Sequence, residues 1–146
     1  MFGHRKKAVA AGEDPTGLAT RLATVAFFEG FTSDELNRVA DLADEVAAQT
    51  GAVLVDQGRV GQECFVILEG EASVYVAGEH VATSGPGSMV GEMALIEHRP
   101  RNATVVAETP MRLLAFDTPA FKTLLEEMPK AHDRVMEILA ARLRSR

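Results

Sequence analysis

The amino-acid sequence predicts an α+β domain that is mainly β, an antiparallel β-roll or jelly roll with N-terminal helices and two C-terminal helices. Short β-branched and aromatic runs, separated by glycine-containing turns, fill the middle of the chain between about residues 45 and 117. Apolar residues recur at helical spacing on either side. Because 146 residues suit one ordinary domain, we predict a tail with a short helix over residues 1–26 and one domain over residues 27–146.

Two helices are predicted before the strands. The first is indicated by apolar residues at helical spacing, Leu18, Leu22 and Val25. The second begins at Thr32, because Thr32 and Glu35 have the spacing of a capping box. We assign to its apolar face Leu36, Val39, Ala40, Ala43 and Val46.

The strands are predicted from the runs "AVLVD", "CFVILE", "ASVYV", "HVAT", "ATVVAE" and "MRLLAFD". In the last run two sets of side chains alternate, as expected for a strand with two different faces. These sets are Met111, Leu113 and Ala115 against Arg112, Leu114 and Phe116.

Two helices are predicted over residues 118–146. Thr118 is assigned as the N-cap of the first, with Pro119 at its first helical position. Pro129 either ends this helix or begins the next. The last helix is indicated by an amphipathic stripe, Val135, Ile138, Leu139 and Leu143.

Composition and charge exclude several classes of protein. The net charge is −6, from 15 basic and 21 acidic residues, which opposes binding to a nucleic-acid backbone. The basic residues at 4–7 and at Arg142, Arg144 and Arg146 are interpreted as solvated tails. No apolar run reaches the ~18 residues of a membrane span, and the one near the N-terminus is too short for a signal peptide. The single cysteine, Cys64, lies in an apolar run, so we predict a buried thiol and a cytoplasmic location. From the charge and the apolar runs we predict neither nucleic acid nor membrane as a partner.

The segment "SGPGSMVGEMALIEHRPRNATV" interrupts the strands and carries the candidate site. Its glycines Gly85, Gly87 and Gly91 do not have the spacing of a dinucleotide-binding motif. The run "MALI" is compatible with one helical turn, whose first amides would form an anion site; they belong to Glu92, Met93 and Ala94.

Two side chains of the segment have the chemistry that a nucleotide site needs. Arg101 offers paired N–H donors to two phosphate oxygens, and the amides of Asn102 and Ala103 could finish the cradle. The Glu92 carboxylate would accept hydrogen bonds from sugar hydroxyls. A glutamate for ribose and an arginine for phosphate together indicate a nucleotide.

The segment resembles the phosphate-binding cassette of the cyclic nucleotide-binding domain family, with the pattern F-G-E-x-A-L followed by P-R-x-A-T. "VGEMALI" and "PRNAT" carry the resemblance, which extends through "FFEGFTSDEL", "GQECFVILEGEASVY" and "LLAFD" over about residues 27–128. It implies that Glu92 binds the ribose 2′-hydroxyl and Arg101 the cyclic phosphate. The remaining implied contacts are backbone groups of Gly91, Met93, Ala94, Asn102 and Ala103.

The segment departs from the family pattern at three positions. Val90 replaces an aromatic residue, and Gln62 stands where many members carry an acidic residue that orients the arginine. Asn102 occupies a position where threonine favours cGMP in the family. We expect cAMP rather than cGMP as ligand, and no cofactor.

We therefore predict a non-catalytic cyclic-nucleotide sensor that acts on an unknown protein partner in trans, with Leu139 or Leu143 as a cap on the base. The first alternative is the same fold without nucleotide binding, acting as an interaction module or as a homodimer through the last helix. The second is a small β-roll enzyme of the cupin type. It is disfavoured because the four histidines have no metal-ligand spacing, and we assign no catalytic or metal-binding residue.

Overall fold

The computed structural model describes residues 4–7, 17–56, 58, 63–91 and 103–144. Its helices are α1 (Leu18–Leu22), a 3-10 turn (Ala26–Phe28), α2 (Ser33–Leu42), α3 (Thr118–Glu127) and α4 (Pro129–Arg144). Its strands are β1 (His4–Lys7), β2 (Asp44–Ala48), β3 (Val53–Val55), β4 (Glu63–Glu69), β5 (Ala72–Val76), β6 (Glu79–Ser84), β7 (Met89–Val90), β8 (Thr104–Ala107) and β9 (Met111–Asp117).

The strands form two antiparallel sheets, which confirms the predicted mainly β roll with helices at both ends. Sheet A has the order β1-β2-β9-β4-β7, and sheet B has the order β3-β8-β5-β6. No described helix is long and apolar enough to cross a membrane.

Sheet A is buried on both faces and separates two apolar cores. Alternate residues of β4 and β9 face the helices, where they form the helix-side core with Phe28, Leu124 and Val135. The other residues of the same strands face sheet B and form the inter-sheet core with Leu54 and Val105. The predicted alternation along "MRLLAFD" is therefore confirmed: Leu114 and Phe116 lie in the helix-side core, and Met111, Leu113 and Ala115 lie in the inter-sheet core.

The capping box at the start of α2 is confirmed. The Thr32 side-chain oxygen accepts a hydrogen bond from the Glu35 amide at 3.1 Å, and the Glu35 carboxylate accepts one from the Thr32 amide at 2.8 Å. The helix ends at Leu42, however, so the assignment of Val46 to its apolar face was wrong. Val46 lies in β2, whose pairing with both β1 and β9 overrides the helical spacing, and its side chain enters the inter-sheet core.

Two further assignments at element ends are corrected. The N-cap of α3 is Asp117 and not Thr118, because the Asp117 carboxylate accepts a hydrogen bond from the Ala120 amide at 2.8 Å. The backbone of residues 4–7 is not a solvated tail, because it pairs antiparallel with β2 in the register His4↔Ala47 to Lys7↔Asp44. Pro129 begins α4, which decides between the two roles that the sequence left open.

Candidate functional site

The candidate cassette begins at an outer strand of sheet A. Strand β7 pairs with β4 in the register Phe65↔Val90 and Val66↔Met89. Val90 is buried in the inter-sheet core, so valine fills a wall position where the family pattern has an aromatic residue. Gly91 follows with φ +87°, a left-handed conformation that glycine adopts without a steric penalty.

The cassette ends in sheet B. Ala103 is half-buried and leads directly into β8, which pairs with both β3 and β5 in the interior of the sheet. The next residue but one, Val105, is buried in the inter-sheet core. The segment between Gly91 and Ala103 therefore joins the two sheets, with both ends held beside the apolar interior of the roll.

The described residues include only part of the predicted site. Gly91 and Ala103 lie at its two ends, as described above. The residues that would carry its chemistry lie outside the described residues: Glu92, Met93, Ala94, Arg101 and Asn102, together with Gln62.

The turn before the cassette packs against the N-terminal helices. Gly87 has φ +88°, and a Cβ atom placed on it would lie 3.1 Å from the Ala26 Cβ. A larger residue at 87 would therefore push the turn away from the 3-10 turn that contains Ala26. Nothing in the sequence predicts this contact with residue 26.

The start of α4 is fixed to the same 3-10 turn. Arg134 donates hydrogen bonds to the carbonyl oxygens of Phe27 and Glu29. Lys130 donates to the Gly30 carbonyl and to the Glu35 carboxylate, both at 2.8 Å. The hydrogen bond from Lys130 is the main reason why the pKa of Glu35 is lowered. The sequence did not predict these hydrogen bonds of Lys130 and Arg134, because the partners are 95 to 107 residues apart.

The two predicted cap residues lie in α4. Ile138 packs against the helix-side core, as the amphipathic stripe predicted. Leu139 is half-buried and is not part of either described core. Leu143 is in the helix, but its side chain lies outside the described residues.

A second charged cluster lies on sheet A, away from the inter-sheet core. The Glu45 carboxylate accepts hydrogen bonds from Arg21 at 2.7 and 3.1 Å and from Arg112 at 2.6 and 3.1 Å. Burial raises the pKa of Glu45, but the two guanidinium groups outweigh that effect and the net shift is downward. This cluster joins α1 to β2 and β9.

The described residues contain no group of three or more histidine, cysteine, aspartate or glutamate residues that could hold a metal ion. His80 and His132 are exposed. Cys64 is fully buried, which confirms the prediction for the single cysteine.

The fold and the cassette agree with known proteins. The family model of the cyclic nucleotide-binding domain matches residues 45–128. The chain therefore belongs to the cyclic nucleotide-binding domain family, as the resemblance predicted.

Three similar proteins illustrate the match. The cAMP-dependent protein kinase regulatory subunit of Schizosaccharomyces pombe is 40% identical over 89 residues, which are 60% of this chain but 22% of that protein. Thermus thermophilus catabolite activator protein superposes with a TM-score of 0.74 at 26% identity, over 82% of this chain and 58% of that one. A cAMP-binding acyltransferase from Mycobacterium smegmatis gives a TM-score of 0.73 at 33% identity, over 87% of this chain and 41% of that one.

The chain spans about a fifth of the curated relative that it matches. It likewise covers 58% of the catabolite activator protein and 41% of the acyltransferase.

Proposed function

We propose that this chain binds a cyclic nucleotide, cAMP in preference to cGMP, through the cassette between Gly91 and Ala103. The observation that carries the proposal is the family match over residues 45–128, which includes "GEMALI" and "PRNAT" in the family order. The described ends of the cassette support it, because Val90 and Val105 hold those ends beside the apolar interior of the roll. A nucleotide bound at the cassette would then lie beside that interior.

Within this proposal Glu92 and Arg101 have one task each. The Arg101 guanidinium neutralises the cyclic phosphate and donates two parallel hydrogen bonds to it. The Glu92 carboxylate accepts a hydrogen bond from the ribose 2′-hydroxyl. Backbone amides of Met93, Ala94, Asn102 and Ala103 supply further donors.

We assign the domain a regulatory and non-catalytic role, in the cytoplasm and without a cofactor, in which it acts on a protein partner. Ligand binding would draw the cassette inward and change the packing of α3 and α4 on either side of Pro129. Signalling requires that the ligand prefer one of the two arrangements. Leu139 and Leu143 are the proposed caps on the base, because Leu139 is half-buried outside both described cores.

Calorimetric titration of cAMP and cGMP into the wild type and Arg101→Ala tests the binding. Loss of one partner of a buried charge pair costs ~3–5 kcal/mol, so we expect the affinity for cAMP to fall by roughly two to three and a half decades. Lys122→Ala removes an exposed positive charge from α3 and should leave the affinity unchanged. The same titration followed by NMR should shift resonances of residues 119–143 if α3 and α4 respond.

Failure of the wild type to bind either nucleotide would contradict the proposal. One departure favours the alternative in that case, since Gln62 replaces the acidic residue that orients the arginine in many family members. The domain would then be an interaction module of the same fold, with the last helix as its contact surface. Sedimentation that is concentration-dependent and insensitive to nucleotide would identify that module.

A further inference from the structure

Helices α3 and α4 meet at a junction whose charges have the wrong sign for the helix ends. Glu126 and Glu127 lie in the last turn of α3, which contains no basic residue. Lys130 lies in the first turn of α4, which contains no acidic residue. Because a helix C-terminus favours cations and an N-terminus favours anions, these side chains destabilise the ends that carry them. The contacts that compensate for them come from α2.

Arg38 of α2 binds the end of α3. Its Nε and Nη2 atoms donate to the two carboxylate oxygens of Glu127, at 2.8 and 2.9 Å, in the bidentate geometry that suits a guanidinium group. Its Nη1 atom donates to the Asp41 carboxylate at 2.8 Å, one turn further along α2. All three nitrogens of Arg38 are thus used. The hydrogen bond from Arg38 is the main reason why the pKa of Glu127 is lowered.

Glu35, on the same face of α2, binds the start of α4. Residues three apart on a helix are neighbours, so Glu35 and Arg38 face the junction together. The Lys130 ammonium group donates to the Glu35 carboxylate and to the Gly30 carbonyl, and it lies 5.8 Å from the centre of the Phe31 ring. One face of α2 therefore contacts both sides of the junction, with an arginine opposite a glutamate and a glutamate opposite a lysine.

The backbone between the two helices is one residue long. Met128, with φ −126° and ψ 96°, leaves the helical conformation, and Pro129 begins α4. The Met128 side chain is buried in the helix-side core. Two backbone hydrogen bonds of 3.0 Å enclose the break, from the Met128 amide to the Leu124 carbonyl and from the His132 amide to the Met128 carbonyl. Apolar packing holds the inner side of the junction, and the ion pairs with α2 hold its outer side.

We infer that α2 is an electrostatic lock on the α3–α4 junction, through the ion pairs Arg38–Glu127 and Glu35–Lys130. The paired side chains are between 25% and 44% exposed, so salt screens the lock and it opens more often as the ionic strength rises. Opening frees α4 to change its angle to α3. The lock is present without a ligand, so the inference does not depend on nucleotide binding.

Hydrogen exchange of the full chain, followed by NMR, measures opening of the lock at the Met128 and His132 amides. Glu127→Gln should accelerate exchange there about threefold, which is the effect of one exposed ion pair. Glu126→Gln removes the same charge from the same helix end and is the control. It should not accelerate exchange, because Arg38 bonds to Glu127 and not to its neighbour. Amides of β5 and β6, in the other sheet, should exchange as in the wild type.

The second ion pair has its own variant. Glu35→Gln separates the lock from the capping box, because a glutamine can still accept the hydrogen bond from the Thr32 amide but offers no charge to Lys130. We expect it to accelerate exchange of the His132 amide. Unchanged exchange in this variant would remove the pair from the lock.

Reversing the charges tests whether the pairing itself matters. Arg38→Glu should accelerate exchange at both amides by more than Glu127→Gln does, because it places a carboxylate beside Glu127 and Asp41. Adding Glu127→Arg restores opposite charges and should bring exchange back toward the wild-type rate. An effect of position 38 on helix α2 alone would not be reversed by the second substitution.

Ionic strength tests the lock in the unaltered chain. Raising NaCl from about 0.1 M to about 1 M shortens the screening length from ~10 Å to ~3 Å. Exchange at both amides should accelerate in the wild type, but not in the double variant Arg38→Met with Lys130→Met, in which neither pair can form. Equal acceleration by salt in that variant, or equal exchange in Glu127→Gln and Glu126→Gln, would overturn the inference.

Discussion

Glu45 shows how one buried side chain connects distant parts of the sequence. Its side chain is 10% exposed and lies between Arg21 of α1 and Arg112 of β9, which are 38% and 46% exposed. Two cations around one carboxylate leave the cluster with a net positive charge. The arginines tolerate this because each is partly solvated, whereas Glu45 depends on them for its hydrogen bonds.

Glu45→Gln should lower the free energy of unfolding at pH 7 by about 1–3 kcal/mol, because charge-assisted hydrogen bonds are lost. Solvent around the arginines favours the lower half of that range. The folded-state pKa of Glu45 is lowered, so its contribution is complete above the unfolded pKa of ~4.3 and is lost as the pH falls through the folded pKa.

Urea unfolding at a series of pH values measures this effect. The wild type and Glu45→Gln should differ most at neutral pH and converge in acid. Glu126→Gln, at an exposed position of α3, is the control and should change stability by no more than ~0.5 kcal/mol. A gap that stays constant with pH would show that Glu45 contributes through packing and not through its charge.

The sequence allowed a prediction of the cassette, but not of the ion pairs of Glu45. Glu92 and Arg101 stand in a local pattern with the glycine and proline around them, so the sequence could assign their roles, which remain to be tested. The partners of Glu45 are 24 and 67 residues away. No local spacing can predict such a pair, since only the fold brings them together.

At the scale of elements, α4 is attached mainly through its first turns. Arg134 bonds to two carbonyl oxygens of the 3-10 turn and its following residue, and it also lies 5.2 Å from the centre of the Phe31 ring. Beyond Ile138 the described residues of α4 are half-buried or exposed. The contacts described for α4 therefore lie mainly in its N-terminal part.

Arg134→Met should release this attachment while keeping the length of the side chain. We expect amide exchange in the first turns of α4 to accelerate about tenfold for each ~1.4 kcal/mol of local stability lost. Arg144→Met, near the exposed end of the same helix, should leave those amides unchanged. Unchanged exchange in Arg134→Met would mean that apolar packing of Ala131 and Val135 alone holds the helix.

Elements with a recognisable residue pattern were predicted, whereas β1 and β7, which have none, were missed. The capping box fixed the start of α2, and alternation fixed β9, because each pattern extends over several residues. Strand β7 has only two residues, and β1 consists of four basic residues without an apolar pattern. Both exist through pairing with β4 or β2, which a sequence pattern does not contain.

At the scale of the molecule, sheet A makes the two cores one cooperative unit. Neighbouring residues of β4 enter different cores: Val66 faces the helices, and Ile67 faces sheet B. Because sheet A forms one wall of each core, disrupting the sheet exposes both cores to solvent. A sheet buried on both faces therefore ties the cassette, which joins sheets A and B, to the helices on the other face of sheet A.

This arrangement predicts a single unfolding transition. The only tyrosine, Tyr75, reports on sheet B in a chain without tryptophan, while circular dichroism at 222 nm reports on the helices. Val66→Ala and Ile67→Ala should each cost ~2–4 kcal/mol through cavity formation. Because each variant damages a different core of the same sheet, each should shift the tyrosine and helix transitions equally in urea. If Val66→Ala moved only the helix signal, the helices would unfold apart from the roll, and a ligand in the roll could not control them through sheet A.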